Sequence, residues 1–173
     1  MAARYYRCIL ADPPWWEQGG GKIKRGADRH YQLLKKEGVL ECMQESGVWR
    51  PATSGCHFWL WVTRTHLPSG LWLMEQLGFR YVSNAVWVKE KIGIGQYMRT
   101  QHEVLLLGTR GKAMVPPTNR RPSTVVTEAQ QQHSRKPEAS YKLIETVSPG
   151  PRLEMFARRE RAGWAAWGKG VPK

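Results

Sequence analysis

The chain has 173 residues, with 27 Lys plus Arg against 14 Asp plus Glu and a formal net charge of +13. A chain of this length buries one hydrophobic core, and a hydrophobic content of 41% excludes an intrinsically disordered protein. The excess positive charge favours nucleic acid as partner over a neutral metabolite, although a basic surface also serves solubility. We therefore expect a single folded domain, residues 1–173, that binds nucleic acid.

Cysteine and histidine usage argues against a disulfide framework and against a metal site. Cys8, Cys42 and Cys56 lie far apart and form no C-x-x-C pair, and the five histidines lack metal-ligand spacing. No apolar run approaches 18 residues, and the first residues have no apolar core of signal-peptide length. We expect a soluble cytoplasmic protein without a metal and without a membrane partner.

Two short apolar runs near the start of the chain predict buried strands. Residues 5–11, "YYRCILA", and 55–63, "GCHFWLWVT", are rich in aromatic and branched side chains and are bounded by turn formers. Between them, residues 35–46 have a weak helical pattern, with Leu40 and Met43 three positions apart. This order predicts strand, helix, strand.

The next segment predicts a helix followed by two more strands. Thr65 is a candidate N-cap, Pro68 lies in the first turn, and the stripe Leu67, Leu71, Met74 ends before a glycine at 78. Residues 79–89 then read as a strand, and residues 103–108 as a shorter one. Alternation of strands and helices indicates an α/β domain with a central sheet.

Residues 110–136 read as a long basic loop, because they combine three prolines with six Lys or Arg and the single acid Glu128. Pro137 then opens a helix whose buried stripe contains Leu143, Ile144 and Val147, and "SPG" stops it. Two short strands, "RLEMFA" and "GWAAWG", complete the domain.

The motif "DPPW" follows the first predicted strand, where ligands bind in open α/β sheets. Asp12 precedes a proline and is pushed to an extended conformation, while Pro13 and Pro14 fix their own φ and bring no N–H donor. The result is a stiff elbow that offers the Asp12 carboxylate and a free Pro13 carbonyl. The plainer interpretation is a capped strand end with Trp15 tucked into the core.

Such an elbow suits the exocyclic amine of adenine. A carboxylate and a carbonyl can hold the two amine protons, which aims the lone pair outward, and Trp15 supplies a flat face for the base. Orientation and desolvation would then drive attack on an electrophile without a metal.

The motif resembles the catalytic motif of the S-adenosylmethionine-dependent adenine-N6 methyltransferases of the MT-A type, the family of the eukaryotic mRNA adenosine methyltransferase. Further blocks are similar to family blocks in family order: "FWLWVT" at 58–63, "VWVK" at 86–89, "HEVLLLGTRG" at 102–111, "SRKP" at 134–137, "SPGPRLEMFARRERAGW" at 148–164 and "WGKG" at 167–170. The resemblance implies a Rossmann-like methyltransferase fold, circularly permuted so that the catalytic block precedes the cofactor blocks. It further implies a central mixed sheet with helices on both faces.

The resemblance also implies roles around the substrate. Asp12 and the Pro13 carbonyl, with Pro14 in the same motif, would hold the target amine. Trp15 and Tyr31 would contact the base, and Glu103 would lie near the same pocket. The alternative for Tyr31 is a packing aromatic, and for Glu103 a solvated strand start.

The cofactor roles implied by the family fall on Asp12, Lys136, Phe156, Arg158 and Lys169. Lys136 matches the lysine that binds the carboxylate of S-adenosylmethionine, and its place at a helix N-terminus independently favours anions. Lys169 and the glycine after it stand where many relatives have ribose-binding Asn and Glu or Gln, so that contact stays open. The sequence also departs from the mRNA enzyme at 160 and 161, where Glu and Arg replace His and Asn.

A second basic loop, residues 19–36, begins with three glycines but does not have the spacing of a phosphate-binding P-loop. We interpret it as a substrate loop that contacts phosphates through four side chains, although a solvated tip is the alternative. The four are Lys22, Lys24, Arg25 and Arg29.

Together these features predict methyl transfer to the N6 amine of adenine, with base flipping required in a duplex. The two basic segments would flank the site and contact phosphates. DNA is the expected polymer because the small size resembles bacterial and phage members. The same reaction on RNA, and a non-catalytic nucleic-acid-binding subunit, are the alternatives, and homodimer formation stays open.

Overall fold

A computed structural model describes residues 4–16, 33–95, 97–129 and 135–171. Within these ranges the chain forms seven strands and three α-helices. The strands are β1 (Cys8–Ala11), β2 (Gly55–Val62), β3 (Arg80–Val88), β4 (His102–Gly111), β5 (Val125–Thr127), β6 (Arg152–Met155) and β7 (Trp164–Trp167). The helices are α1 (Lys36–Glu45), α2 (Leu67–Gln76) and α3 (Glu138–Val147). No helix in these ranges is long and apolar enough to span a bilayer.

The strands form one mixed sheet in the order β5-β3-β4-β2-β1-β6-β7. β4 runs antiparallel to both of its neighbours, and the other paired strands are parallel. The carboxyl ends of six strands and the amino end of β4 therefore meet at one edge of the sheet. We call this the carboxyl edge.

Both faces of the sheet are covered, as predicted. Ile9 and Ala11 of β1 pack in the same cluster as residues of α1 and α2, whereas Cys8 and Leu10 pack in a second cluster with α3. All eight residues of β2 are buried, which explains why its sequence is an apolar run rather than an alternation. The predicted α/β sheet with helices on both faces is confirmed, and the circular permutation stays a prediction.

The start of α2 differs from the prediction. A 3₁₀ turn, Arg64–His66, precedes the helix, and the structure shows no side-chain cap at the helix start. Thr65 therefore does not act as the N-cap, and its Oγ1 lies 3.1 Å from Oγ1 of Thr63.

The buried stripe of α2 is also different, because Leu67 and Leu71 are exposed while Gly70, Leu73 and Met74 are buried. A Cβ at Gly70 would lie 2.5 Å from Cγ1 of Val62. The helix thus packs on the sheet through its smallest residue, which a search for apolar periodicity overlooks.

The segment predicted as a basic loop contains more structure than expected. β4 continues to Gly111, a 3₁₀ turn covers Thr118–Arg120, and β5 pairs in parallel with β3. Gly111 pairs with Gly55 at the start of β2, so Arg110 and Lys112 lie at the edge opposite the carboxyl edge. The prediction that all of 110–136 flanks the site is therefore wrong, because β5 carries the chain back across the sheet before Arg135 and Lys136.

Candidate active site

A line of alternating charges lies at the carboxyl edge. Nζ of Lys136 is 2.9 Å from Oδ1 of Asp12 and 3.0 Å from Oε2 of Glu103, while the other Glu103 oxygen accepts a hydrogen bond from Lys89. These four side chains are 14–21% exposed. Their pairing compensates for the cost of desolvating each charge.

The topology explains why these residues meet. Asp12 directly follows β1, and Lys136 lies two residues before α3. Glu103 lies at the amino end of antiparallel β4, paired with Trp87, and Lys89 directly follows β3. Four separate segments thus deliver one charged group each to the same edge.

Electrostatics keeps Lys136 and Glu103 ionised. Burial by itself would lower the pKa of Lys136, but the neighbouring Asp12 and Glu103 outweigh it and raise that pKa above its usual value. Burial would raise the pKa of Glu103, but Lys136 and Lys89 hold it below its ordinary value. Lys136 and Glu103 are therefore both charged at neutral pH.

The proline elbow is fixed by backbone hydrogen bonds. The Trp15 N–H donates to the Pro13 carbonyl at 2.9 Å, and the Leu34 N–H donates to the Pro14 carbonyl at 2.8 Å. The prediction of a free Pro13 carbonyl is therefore wrong, because the Trp15 N–H already donates to it. A carbonyl oxygen accepts two hydrogen bonds, so one lone pair is left. A substrate amine would share this oxygen with the Trp15 N–H.

Trp15 anchors the elbow from inside. Its indole is 7% exposed, its Nε1 donates to the Trp61 carbonyl at 3.0 Å, and its ring stacks on His66 at 5.5 Å. His66 donates from Nε2 to the Trp16 carbonyl at 3.0 Å, since a carbonyl can only accept. The plainer interpretation of a tryptophan tucked into the core fits this geometry, and base stacking on Trp15 would require the ring to be uncovered.

The N-terminus of α3 is capped by the carboxylate of Glu128. Both Glu128 carboxylate oxygens accept backbone hydrogen bonds, from Glu138 at 3.0 Å and from Ala139 at 2.8 Å. The expectation that this terminus receives a cofactor anion is therefore corrected, because the chain supplies its own cap. Lys136 reaches the site through its side-chain charge instead.

The backbone of the loop after β6 lies very close to the backbone of the segment after β7. Phe156 has φ of +62°, unusual for a bulky residue, and its ring lies 5.6 Å edge-on to that of Trp167. A Cβ at Gly170 would lie 2.2 Å from the Arg158 carbonyl oxygen. The family departure at 170 thus has a local reason, because only glycine fits there; the side chains of Arg158 and Lys169 are exposed beside it.

A carboxylate that the sequence did not single out ties this loop to α3. Glu138 accepts hydrogen bonds from Arg135, Arg159 and Arg161, the last at 2.6 Å. Although partial burial opposes the shift, these arginines lower the pKa of Glu138 from 4.5 to about 2. The spacing of Arg135 and Glu138 was a visible signal, whereas nothing in the sequence connected Glu138 with the two distant arginines.

Arg161 also stacks on the ring of Tyr141, 3.7 Å from its centroid. The Tyr141 hydroxyl donates to Oε1 of the buried Glu154 at 2.8 Å. Burial, together with the nearby Asp12 charge, raises the pKa of Glu154 above its ordinary value. This part of the site, too, was missed from the sequence.

Five predicted substrate contacts fall outside the ranges that the structure describes: Tyr31, Lys22, Lys24, Arg25 and Arg29. Among the residues it does describe, no group of three His, Cys, Asp or Glu is arranged to hold a metal ion.

The described residues form a seven-stranded sheet with helices on both faces, and its first strand ends in an acidic proline elbow. These features define the class of Rossmann-like methyltransferases. The MT-A70 family model matches residues 6–170, and the chain belongs to the MT-A70 family.

The chain spans different shares of the length of its relatives. The type II methyltransferase M.MunI of Mycoplasma sp is 29% identical over 99% of this chain and 80% of its own. A putative N(6)-adenosine-methyltransferase MT-A70-like protein of Medicago truncatula is 31% identical over 92% of this chain, which spans 25% of that relative. The N(6)-adenine-specific methyltransferase METTL4 of Mus musculus is 26% identical over 97% of this chain and 38% of its own.

Proposed function

We propose that the protein transfers the methyl group of S-adenosylmethionine to the exocyclic N6 amine of adenine in a polynucleotide, with DNA preferred over RNA. The observation that carries this proposal is the Asp12–Lys136 pair, 2.9 Å apart, at the elbow. Membership of a family whose relatives are named adenine or adenosine N6 methyltransferases supports the chemistry.

The charged pair fits the amino-acid part of the cofactor. An ammonium beside a carboxylate is complementary to a zwitterion, so Lys136 would bind the cofactor carboxylate and Asp12 its ammonium group. Lys136 would retain Glu103 as partner while it exchanges Asp12 for the cofactor. When bound, S-adenosylmethionine supplies an electrophilic methyl group on a sulfonium.

The elbow would orient the amine. Asp12 and the second lone pair of the Pro13 carbonyl would accept the two N6 protons, which directs the nitrogen lone pair at the methyl carbon. Transfer would form a C–N bond as the C–S bond breaks, and the amine would lose one proton to Asp12 or to water. Positioning and exclusion of water would supply most of the acceleration.

The support for DNA comes from the comparisons. The relative covered over 80% of its length is a type II methyltransferase, whereas a relative named an RNA methyltransferase, from Pyricularia oryzae, is covered over 48%. Basic side chains at the carboxyl edge would contact the phosphates. Such contacts do not depend on the base sequence, and they position the polynucleotide on the protein.

The test is incubation with methyl-labelled cofactor and native DNA, heat-denatured DNA or structured RNA, followed by digestion to nucleosides. Label in N6-methyldeoxyadenosine supports the proposal, and label in N6-methyladenosine alone would move it to RNA. If no polymer is labelled and calorimetry detects no cofactor binding, the protein is a nucleic-acid-binding subunit instead.

A further inference from the structure

The connection between β3 and β4 presents large apolar side chains to solvent. Ile94 is 81% exposed, Tyr97 98% and Met98 78%, and Ile92 is half exposed. Exposed apolar side chains are common singly, but a cluster of four on one loop marks a binding surface. We call residues 89–101 the β3–β4 loop; Gln96 within it lies outside the described residues.

These exposed side chains belong to a loop that is held by hydrogen bonds. The Lys89 N–H donates to the Gln101 carbonyl at 2.8 Å and the Gly93 N–H to the Thr100 carbonyl at 2.7 Å. Arg99 donates from Nε to the Gly93 carbonyl at 3.0 Å. These bonds continue the β3–β4 pairing into the loop that carries the exposed apolar side chains.

The loop lies at the same edge of the sheet as the proposed active site. Its root is Lys89, which binds Glu103, and its far part is held by Arg64, whose Nη1 donates to the Met98 carbonyl at 2.7 Å. Arg64 follows the carboxyl end of β2, and Asp12 follows that of the adjacent parallel strand β1. The apolar tip and the proline elbow therefore share one edge of the sheet.

The charges around the tip identify the partner. The sequence of the loop contains Lys89, Lys91 and Arg99 against one acid, Glu90, and Arg64 binds the loop from outside. A cleft of about 400 Å³ opens at the root, lined in part by Gln101 and Thr127. Apolar side chains with a positive rim match a polynucleotide, which combines phosphates with stacked apolar base faces.

We propose that the β3–β4 loop is a wedge: Tyr97 and Met98 enter the base stack beside the target adenine and occupy the space that it leaves on extrusion. This inference rests on the proposed function and deepens it. Extrusion loses the stacking of the base, and the buried Trp15 offers little face to offset that loss. An aromatic and a thioether that are already exposed replace the lost stacking without rearrangement of the core.

The test compares native DNA with the same DNA after heat denaturation, because a wedge matters only where bases are stacked in a duplex. The wild-type protein, the double variant Tyr97→Ala/Met98→Ala and the control Tyr5→Ala are assayed for methyl transfer to both. Tyr5 is an exposed aromatic at the amino end of β1, at the opposite edge. The ratio of native to denatured rate should fall about tenfold in the double variant and stay at the wild-type value in the control.

An unchanged ratio in the double variant, or a wild-type protein active on denatured DNA alone, would overturn the wedge. So would sedimentation that shows a wild-type dimer converted to monomer by the double variant with the ratio unchanged, since the loop would then be a protein interface. If the wild type methylates nothing, the proposed function itself has failed. Unwinding of a relaxed plasmid by the wild type, lost in the double variant, would still support the wedge in that case.

Discussion

At the scale of single residues, Lys136 is central to the site, because its ammonium group lies between the carboxylates of Asp12 and Glu103. We predict that Lys136→Met weakens cofactor binding by about 10- to 100-fold, the value of one charge-assisted hydrogen bond. Calorimetric titration measures this, and Lys142→Met on the exposed side of α3 is the matched control. Parent affinity in Lys136→Met would remove Lys136 from the cofactor site.

Lys89 acts one step further out, through Glu103. Because Lys89 helps to hold the pKa of Glu103 below its ordinary value, Lys89→Met should raise that pKa. The proposed function uses ionised Glu103 as the partner of Lys136, so the acid limb of a plot of kcat/KM against pH should move to higher pH. Lys112→Met, at the opposite edge, should leave the profile in place; a shift in both variants would point to overall charge instead.

The same scale shows what residue patterns can and cannot reveal. Asp12, Glu103 and Lys136 were found because each lies in a recognisable family block. Lys89 lies in such a block too, but its role depends on the register that places Trp87 opposite Glu103. Glu128 was the single acid in a basic segment, yet only the tertiary fold shows that it caps α3.

At the scale of elements, Glu138 joins the start of α3 to the loop after β6. An acid whose pKa is lowered on folding stabilises the protein fully above its unfolded pKa, here about 4.5, and this stability is lost as the pH falls toward the folded pKa of about 2. We predict that Glu138→Gln lowers the thermal midpoint at pH 7, and that the difference from wild type shrinks between pH 4.5 and 2. A constant difference across this range would show that the arginines do not set the pKa.

Elements were predictable where the signal was local. α3 and β2 were predicted closely because a helical stripe and an uninterrupted apolar run are written in the sequence. The N-cap of α2 was wrong because a 3₁₀ turn takes up the residues before it. β5 was missed because three residues carry too short a pattern, and its strand state depends on pairing with β3.

At the scale of the whole molecule, the net charge is +13, and the described basic residues include some at each of the two edges of the sheet. Arg110 and Lys112 lie at the edge away from Asp12, whereas Lys89, Arg135 and Lys136 lie at the carboxyl edge. Composition correctly indicated a polyanionic partner for a family of nucleic acid methyltransferases, but only topology tells which basic residues reach the site.

The most direct measurement is single-turnover methyl transfer by Asp12→Asn and wild type on native DNA at saturating cofactor. Asparagine keeps the side-chain volume but removes the negative charge and replaces one of the two acceptor oxygens with a donor, so the side chain can no longer accept from both the amine and the cofactor ammonium group. We predict a fall in rate of at least about 100-fold, with DNA binding retained. Transfer by Asp12→Asn at the wild-type rate would contradict the assignment of the carboxylate at the elbow.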